Sequence, residues 1–184
     1  KTIALLNTYK NKRVKVKIIS KKKYILVNGI KIKLPPKELA FYFWLSQLPS
    51  RKIDMDRQFC DDLVHSASYL KTYSMIAGDS RVFASFNVDR EVVEENTVES
   101  LSKLPGLKPL EKYWLQQARS KINSQFKQWL EAAVCSEVEI GSNEYNTQLH
   151  EVCYFIPETL VVEHDLSVNK FTHEANSIDL VSKL

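Results

Sequence analysis

Glycine is scarce in this chain: only four of the 184 residues are glycine, and they stand far apart at positions 29, 78, 106 and 141. A loop that cradles phosphate needs several glycines within a few residues, so the scarcity excludes a nucleotide site of that kind. The G-x-S-x-G motif of serine hydrolases is also missing. No catalytic motif is recognisable, and we expect the protein to need no cofactor.

Cysteine and long apolar runs are rare as well. The three cysteines, Cys60, Cys135 and Cys153, are an odd number, which favours reduced thiols in a cytoplasmic protein. Cys135 and Cys153 flank a predicted hairpin, so a disulfide between them is geometrically conceivable but not expected. The longest apolar runs, such as residues 39–45, are too short to cross a bilayer, and we expect no membrane partner.

Charge is distributed unevenly along the chain. Residues 1–33 hold eleven Lys or Arg and no acid, residues 34–130 are nearly neutral, and residues 131–184 hold two bases and ten acids. An asymmetry of this size is typical of interaction surfaces, with a basic end for phosphate or an acidic partner. The alternative is that both ends are solvated surface whose charges face each other in the fold.

The basic N-terminal third has the pattern of a small antiparallel sheet. Residues 13–19 alternate basic and apolar side chains, the period-two signature of a half-buried strand. Residues 24–27 and 30–34 flank Asn28-Gly29, a strong hairpin signal because a type I′ turn needs positive φ at both positions. We expect one face of this sheet to be rich in lysine.

Three helical segments are predicted before residue 105. Pro35-Pro36 ends the sheet, and Leu39, Ala40, Phe43, Trp44 and Leu48 recur at helical spacing in a mostly buried helix. Residues 54–77 form a second predicted helix, and residues 89–104 a third, acid-rich one.

The segment 109–134 is the strongest helix prediction. Leu115, Ala118, Ile122, Phe126, Trp129 and Ala133 recur every three or four positions and predict one buried face. We expect Phe43, Trp44, Ile122, Phe126 and Trp129 to share one core. The opposite face carries side chains of the types that read base edges or bind phosphate. The candidate nucleic-acid-binding residues are Arg119, Ser120, Asn123 and Lys127, with Lys112 and Lys121 at the margins and Lys15 and Lys17 on the N-terminal sheet. The alternative is that they only keep a surface helix soluble.

A C-terminal β-hairpin is predicted from strands 138–140 and 152–156. The loop between them, residues 141–151, contains two acids and no Lys or Arg. Counterion release from phosphates supplies much of the affinity of DNA-binding proteins, so this loop is poorly suited to grip a duplex. We expect any nucleic-acid binding to depend on the helix and the N-terminal lysines.

An acidic cluster offers a different hypothesis. Asp54, Asp56, Asp61 and Asp62 would be the metal ligands of an autonomous nuclease if they bound a divalent cation. Acids also favour the first turn of a helix, and that interpretation is preferred. We therefore expect no metal site and no catalytic residue in this chain.

Two motifs resemble a known family. Residues 30–45, Ile-Lys-Ile-Lys-Leu-Pro-Pro-Lys-Glu-Leu-Ala-Phe-Tyr-Phe-Trp-Leu, are similar to a strand–Leu-Pro-Pro–helix segment of the CRISPR-associated ring nucleases of type III systems. Residues 118–130, Ala-Arg-Ser-Lys-Ile-Asn-Ser-Gln-Phe-Lys-Gln-Trp-Leu, resemble a later helix of that family, and Tyr154–Glu158 resembles its closing strand. The resemblance covers roughly residues 24–165, the family's C-terminal winged-helix region.

The order of the predicted elements, a sheet, helices and a C-terminal hairpin, indicates an α+β fold, and both this order and the resemblance point to a winged helix-turn-helix with an N-terminal antiparallel sheet and a C-terminal β-hairpin wing. Residues 1–23 would be a basic strand or linker after an upstream CARF domain that senses cyclic oligoadenylate, residues 24–165 the winged-helix domain, and residues 166–184 a tail. The implied role is an accessory domain for DNA or RNA binding, homodimerisation, or contact with the CARF domain. The runner-up hypothesis is the DNA-binding output domain of a response regulator, which Leu34–Leu45 after a sheet also resembles.

Overall fold

The structure of the chain, a computed structural model, describes residues 13–56, 58–146 and 151–166. In this part the chain is a mixed α+β protein. The strands are β1 (Lys15–Ile19), β2 (Tyr24–Val27), β3 (Ile30–Lys33), β4 (Lys52–Met55), β5 (Gly141–Asn146), β6 (Glu151–Phe155) and β7 (Val161–His164). The helices are α1 (Pro36–Gln47), α2 (Leu63–Ile76), α3 (Ser80–Ser85), α4 (Arg90–Glu95), α5 (Val98–Ser102), α6 (Lys112–Trp129) and α7 (Ala132–Val138).

The N-terminal sheet has the strand order β3-β2-β1-β7. Asn28 and Gly29 have φ values of 48° and 89°, and Val27 pairs with Ile30, which confirms the predicted Asn-Gly hairpin. β1 is antiparallel to β2 and parallel to β7. β1 is therefore an interior strand of the sheet, and the predicted boundary after residue 23 runs through a hairpin instead of separating two domains.

Helix α1 lies at the centre of the molecule. Every residue from Glu38 to Ser46 is buried, as expected of a helix whose apolar residues surround its whole circumference. Its aromatic rings pack in different directions: Phe41 against Trp114 of α6, with ring centroids 5.8 Å apart, and Trp44 against Tyr69 of α2 at 6.1 Å. The prediction of a buried helix after Pro35-Pro36 is confirmed.

A second sheet of three antiparallel strands has the order β4-β6-β5. The C-terminal hairpin is confirmed, but its first strand is residues 141–146, whereas residues 132–138 are helical. Residues 138–140 were predicted as strand, and that prediction is wrong. Residues 147–150 of the predicted wing lie outside the described residues. β6 occupies the centre because β4, nearly a hundred residues earlier in the chain, pairs with its other edge.

Three predicted helices have different limits in the structure. The segment 54–77 begins as strand β4, and its helix starts only after Asp62, whose carboxylate accepts a hydrogen bond from the Val64 amide. The segment 89–104 is two short helices, α4 and α5. The segment 109–134 is broken at Leu130, where ψ is 148°.

This break changes the exposure of the last turn of α6. Trp129 is 55% exposed and Ala133 is exposed, so their assignment to the core was wrong. Phe43, Trp44, Ile122 and Phe126 are buried as predicted. Within the described ranges, no helix combines the length and apolarity that a membrane crossing requires.

Candidate nucleic-acid interface

Two of the predicted base-reading residues are engaged inside the protein. The Asn123 side chain, 8% exposed, donates to the carbonyl of Ile140 and accepts from the Ile140 amide, both at 2.9 Å. Arg119 Nε donates to the same carbonyl at 2.8 Å, and its guanidinium lies 5.2 Å from the centroid of the Tyr154 ring. These contacts hold the start of β5 against α6. The placement of Asn123 on the exposed face was therefore wrong.

The other predicted residues of α6 remain at the surface. Lys127 Nζ lies 3.7 Å from Glu139 Oε2, an exposed ion pair of small energetic value. Lys112 is half-buried in the first turn of the helix. Ser120 and Lys121 are exposed and face a groove on the side of α6 nearest β3.

We call this feature the lysine groove. Its volume is about 830 Å³, within the range of about 300–1,000 Å³ typical of ligand sites. One wall is α6, and the other is formed by the β1–β2 turn and the end of β3. The residues that line it are Lys22, Lys23, Lys33, Leu34, Pro35, Pro36, Glu38, Ser120, Lys121, Ser124 and Gln125. Four lysines therefore line one concave space.

The β1–β2 turn is anchored at its base. Ser20 is buried, and its amide and hydroxyl both donate to Asp165 Oδ1, at 2.8 and 2.7 Å. Partial burial, the largest single influence, raises the pKa of Asp165, but the hydrogen bonds from Ser20 and from the backbone amides of Lys21 and Asp165 together hold it below its ordinary value. The Lys23 amide donates to the Ser20 carbonyl at 3.1 Å, and Lys23 has a φ of 55°. These bonds hold the turn that carries Lys22 and Lys23 beside the groove.

One acid lies in the groove wall. The side chain of Glu38 is 7% exposed, and its Oε1 is 3.2 Å from Lys121 Nζ. A carboxylate removed from water needs a partner, and Lys121 supplies one. Glu38 therefore competes with any bound anion for the charge of Lys121.

The outer face of the N-terminal sheet continues the basic surface. Because Val16, Ile18 and Ile32 point into the core, their neighbours in the strands point outward. The outward lysines are Lys15, Lys17, Lys31 and Lys33. Lys33 also lines the lysine groove, so it connects the two surfaces.

An aromatic ring lies among these lysines. Tyr24 of β2 is half-buried and pairs in register with Lys33. The Lys31 ammonium lies 4.5 Å from the centroid of its ring. Lys17 stands beside an acid, Glu163 of β7. Lys15 and Lys17, predicted from the sequence, thus lie on a sheet face that Lys33 connects to the groove of Ser120 and Lys121.

A second groove, on the three-stranded sheet, has the opposite character. Its volume is about 1,040 Å³, and it contains Asp54, Asp56 and Glu158 around Cys153. Burial and the nearby Asp54 carboxylate raise the pKa of the Cys153 thiol to about 11. The Asp54 carboxylate is also 3.2 Å from Lys52 Nζ.

The acidic cluster has structural roles. Asp56 accepts a hydrogen bond from the Gln58 amide at 2.9 Å, and Asp62 caps α2. No group of three or more metal-binding side chains comes together in the described part of the chain. Cys60, Cys135 and Cys153 are free thiols.

No protein-family model, curated protein or solved structure matches this chain. The function must therefore be argued from the geometry and charge of its own residues. Sequence reasoning missed Lys22, Lys23 and Glu38 as groove residues. The run Lys21-Lys22-Lys23 between two alternating strands was a usable signal of a basic turn, whereas nothing in the pattern distinguishes Glu38 from an ordinary solvated acid in a first helical turn.

Proposed function

We propose that this chain is a winged-helix domain that binds nucleic acid through its phosphates. The observation that carries the proposal is the convergence of seven lysines on the lysine groove and the adjoining sheet face. They are Lys15, Lys17, Lys22, Lys23, Lys31, Lys33 and Lys121. Such a surface neutralises phosphates and releases their counterions, which supplies most of the affinity in sequence-independent binding.

The order of elements supports the winged-helix assignment. Helix α1 is followed by strand β4, then by helices, and finally by the β5–β6 hairpin. The last strand of the hairpin lies between the other two, in the order β4-β6-β5. This is the arrangement in which a winged-helix domain sets its hairpin beside a helical core.

We further propose that the domain is an accessory part of a CRISPR-associated protein with an upstream CARF domain. Residues 30–45 and 118–130, which resemble the ring nuclease family, support this hypothesis. Binding of cyclic oligoadenylate by the full-length protein tests it. A full-length protein that contains no CARF domain would overturn it.

A second candidate function is homodimerisation through α6. Trp129 and Tyr113 expose 55% and 67% of their surface, and aromatic rings are enriched in protein interfaces. Analytical ultracentrifugation of the wild type and of Trp129→Gln tests this candidate. A wild-type protein that sediments as a monomer at all concentrations would contradict it.

The response-regulator hypothesis is supported by the antiparallel strands β1–β3 that precede α1. That hypothesis requires a basic reading helix and a basic hairpin. The predicted hairpin loop, residues 141–151, contains Glu144 and Glu151 and no Lys or Arg, which weighs against it. Sequence-specific duplex binding at high salt would restore it.

Fluorescence anisotropy with labelled oligonucleotides tests the principal proposal. We expect weak binding that becomes weaker as salt rises from about 50 to 200 mM. If neither single strands nor duplexes bind at the lower salt concentration, nucleic-acid binding is refuted and dimerisation becomes the leading function.

A further inference from the structure

Building on the proposed function, we infer that the lysine groove and the adjoining Tyr24 bind single-stranded nucleic acid in preference to a duplex. The groove is concave, with lysines on both walls: Lys121 on α6, and Lys22, Lys23 and Lys33 opposite. A protein reads a duplex by inserting a convex element, a helix or a β-ribbon, into one of its grooves. A concave basic channel instead follows a single phosphate backbone.

The convex elements of this protein are poorly suited to duplex reading. Arg119 and Asn123 of α6 are bound to Ile140, so they are not free to contact base edges. Residues 141–151, predicted as the loop of the hairpin, contain two acids and no Lys or Arg. The helix therefore lacks these two donors for base edges, and the hairpin segment lacks the positive charge that duplex contact requires.

Tyr24 supplies the second component of a single-strand site. Sites of this class combine a basic channel with aromatic rings on which unpaired bases stack. The half-buried ring of Tyr24 is next to Lys33, which lines the groove, and beneath the Lys31 ammonium. A nucleic-acid strand whose phosphates occupy the groove therefore passes the ring of Tyr24. An unpaired base can stack on that ring, whereas a paired base cannot.

Glu38 weakens this site from within. Its carboxylate holds Lys121 at 3.2 Å, so a phosphate must compete with it. We expect Glu38→Gln to raise the affinity for a single strand by up to about fivefold, the value of a partly exposed ion pair.

The primary test compares two triple variants by fluorescence anisotropy, with an oligothymidylate of about 16 nucleotides as the probe. The first replaces Lys22, Lys23 and Lys33 with Gln. The second is a charge-matched control that replaces Lys52, Lys103 and Lys108, which lie elsewhere in the fold and do not line the groove. The thermal unfolding of both is measured, so that a folding defect is distinguished from a loss of binding.

The salt dependence gives the expected magnitude. Each phosphate contact on a single strand contributes about 0.7 to the slope of log K against log salt, so losing three contacts should lower the slope by about 2. Between about 50 and 200 mM salt, the wild type should then lose about 20-fold more affinity than the groove variant. The control variant should keep the wild-type slope.

Tyr24 tests strand selectivity separately. Tyr24→Leu should weaken binding of the single strand about tenfold and leave duplex binding unchanged, whereas Tyr24→Phe should retain affinity because its ring still stacks. Tighter binding of the duplex, or equal slopes for the two triple variants, would overturn this inference while leaving the proposed nucleic-acid function intact. If polyglutamate binds as tightly as the oligothymidylate and Tyr24→Leu has no effect, the surface binds polyanions in general, and the inference is overturned as well. If no oligonucleotide binds, the proposed function itself fails.

Discussion

Replacement of Asn123 by alanine should destabilise the fold, because Asn123 makes its contacts inside the protein and not with nucleic acid. Its amide group makes two hydrogen bonds to Ile140, and Ile140 is completely buried. In Asn123→Ala the Ile140 amide loses its acceptor, whereas the Ile140 carbonyl keeps the hydrogen bond from Arg119 Nε at 2.8 Å. The loss of the two hydrogen bonds therefore lowers the free energy of unfolding by unequal amounts.

The expected magnitude follows from these two losses. A buried amide left without an acceptor costs about 1–3 kcal/mol, and the weakened interaction of the carbonyl about 0.5–1.5 kcal/mol. Alanine recovers about 0.6 kcal/mol because it favours the helix more than asparagine does. We expect the free energy of unfolding to fall by about 2 kcal/mol.

Urea denaturation followed by circular dichroism measures this change, and hydrogen exchange of the Ile140 amide shows whether protection is lost at that site. Gln117→Ala is the matched control, since Gln117 is an exposed residue of the same helix and should change stability by less than about 0.5 kcal/mol. If both variants unfold at the same denaturant concentration, Asn123 does not anchor β5 and its assignment to the surface should be restored.

The double variant with Arg119→Ala extends the test. Both side chains donate to the Ile140 carbonyl, so removing both leaves that oxygen without either donor. We expect the double variant to lose about 0.5–3 kcal/mol more than the sum of the single variants. Additive losses would show that the two side chains act independently.

Three other predictions concern the core and two titrating groups. Phe126→Ala should lower the free energy of unfolding by about 3–5 kcal/mol through lost burial and a cavity, whereas Trp129→Ala, at an exposed position, should cost much less in the same urea denaturation. Cys153, with its pKa raised to about 11, should react slowly with iodoacetamide at pH 8, where about one thiol in a thousand is ionised. Asp54→Asn should speed the reaction, as measured by mass spectrometry. An unchanged rate would contradict the role of Asp54. Because the pKa of Asp165 is lowered in the folded state, its ionised carboxylate stabilises the fold above the unfolded-state pKa of about 4. The loss of stability caused by Asp165→Asn should therefore shrink as the pH falls below that value. A loss that does not depend on pH would contradict this prediction.

Local patterns predicted the N-terminal sheet and the central helix correctly. Alternation in residues 13–19 and the Asn28-Gly29 pair depend only on the strand period and on the positive φ of a type I′ turn. The all-round apolar character of residues 39–45 likewise predicts burial without knowledge of the partner. These features are encoded within a few consecutive residues, so the sequence was sufficient for them.

Long-range pairing explains the predictions that failed. Residues 52–55 form a strand because β6, far along the chain, pairs with them. Asn123 has the polarity of a surface residue, yet it is buried because the backbone of Ile140 supplies both of its hydrogen-bonding partners. A polar side chain in a helix carries no local signal that distinguishes these two situations.

The candidate site shows the same division. The sequence alone determined that the N-terminal third is basic, that its lysines alternate with buried residues, and that the predicted hairpin loop lacks positive charge. Tertiary structure decided which lysines meet, because α6 packs next to β3 and the Ser20–Asp165 hydrogen bonds position the turn that carries Lys22 and Lys23. Neighbouring residues along the chain determine strand periodicity. A groove forms between elements that are distant in sequence, and the packing of the whole core decides whether they come together.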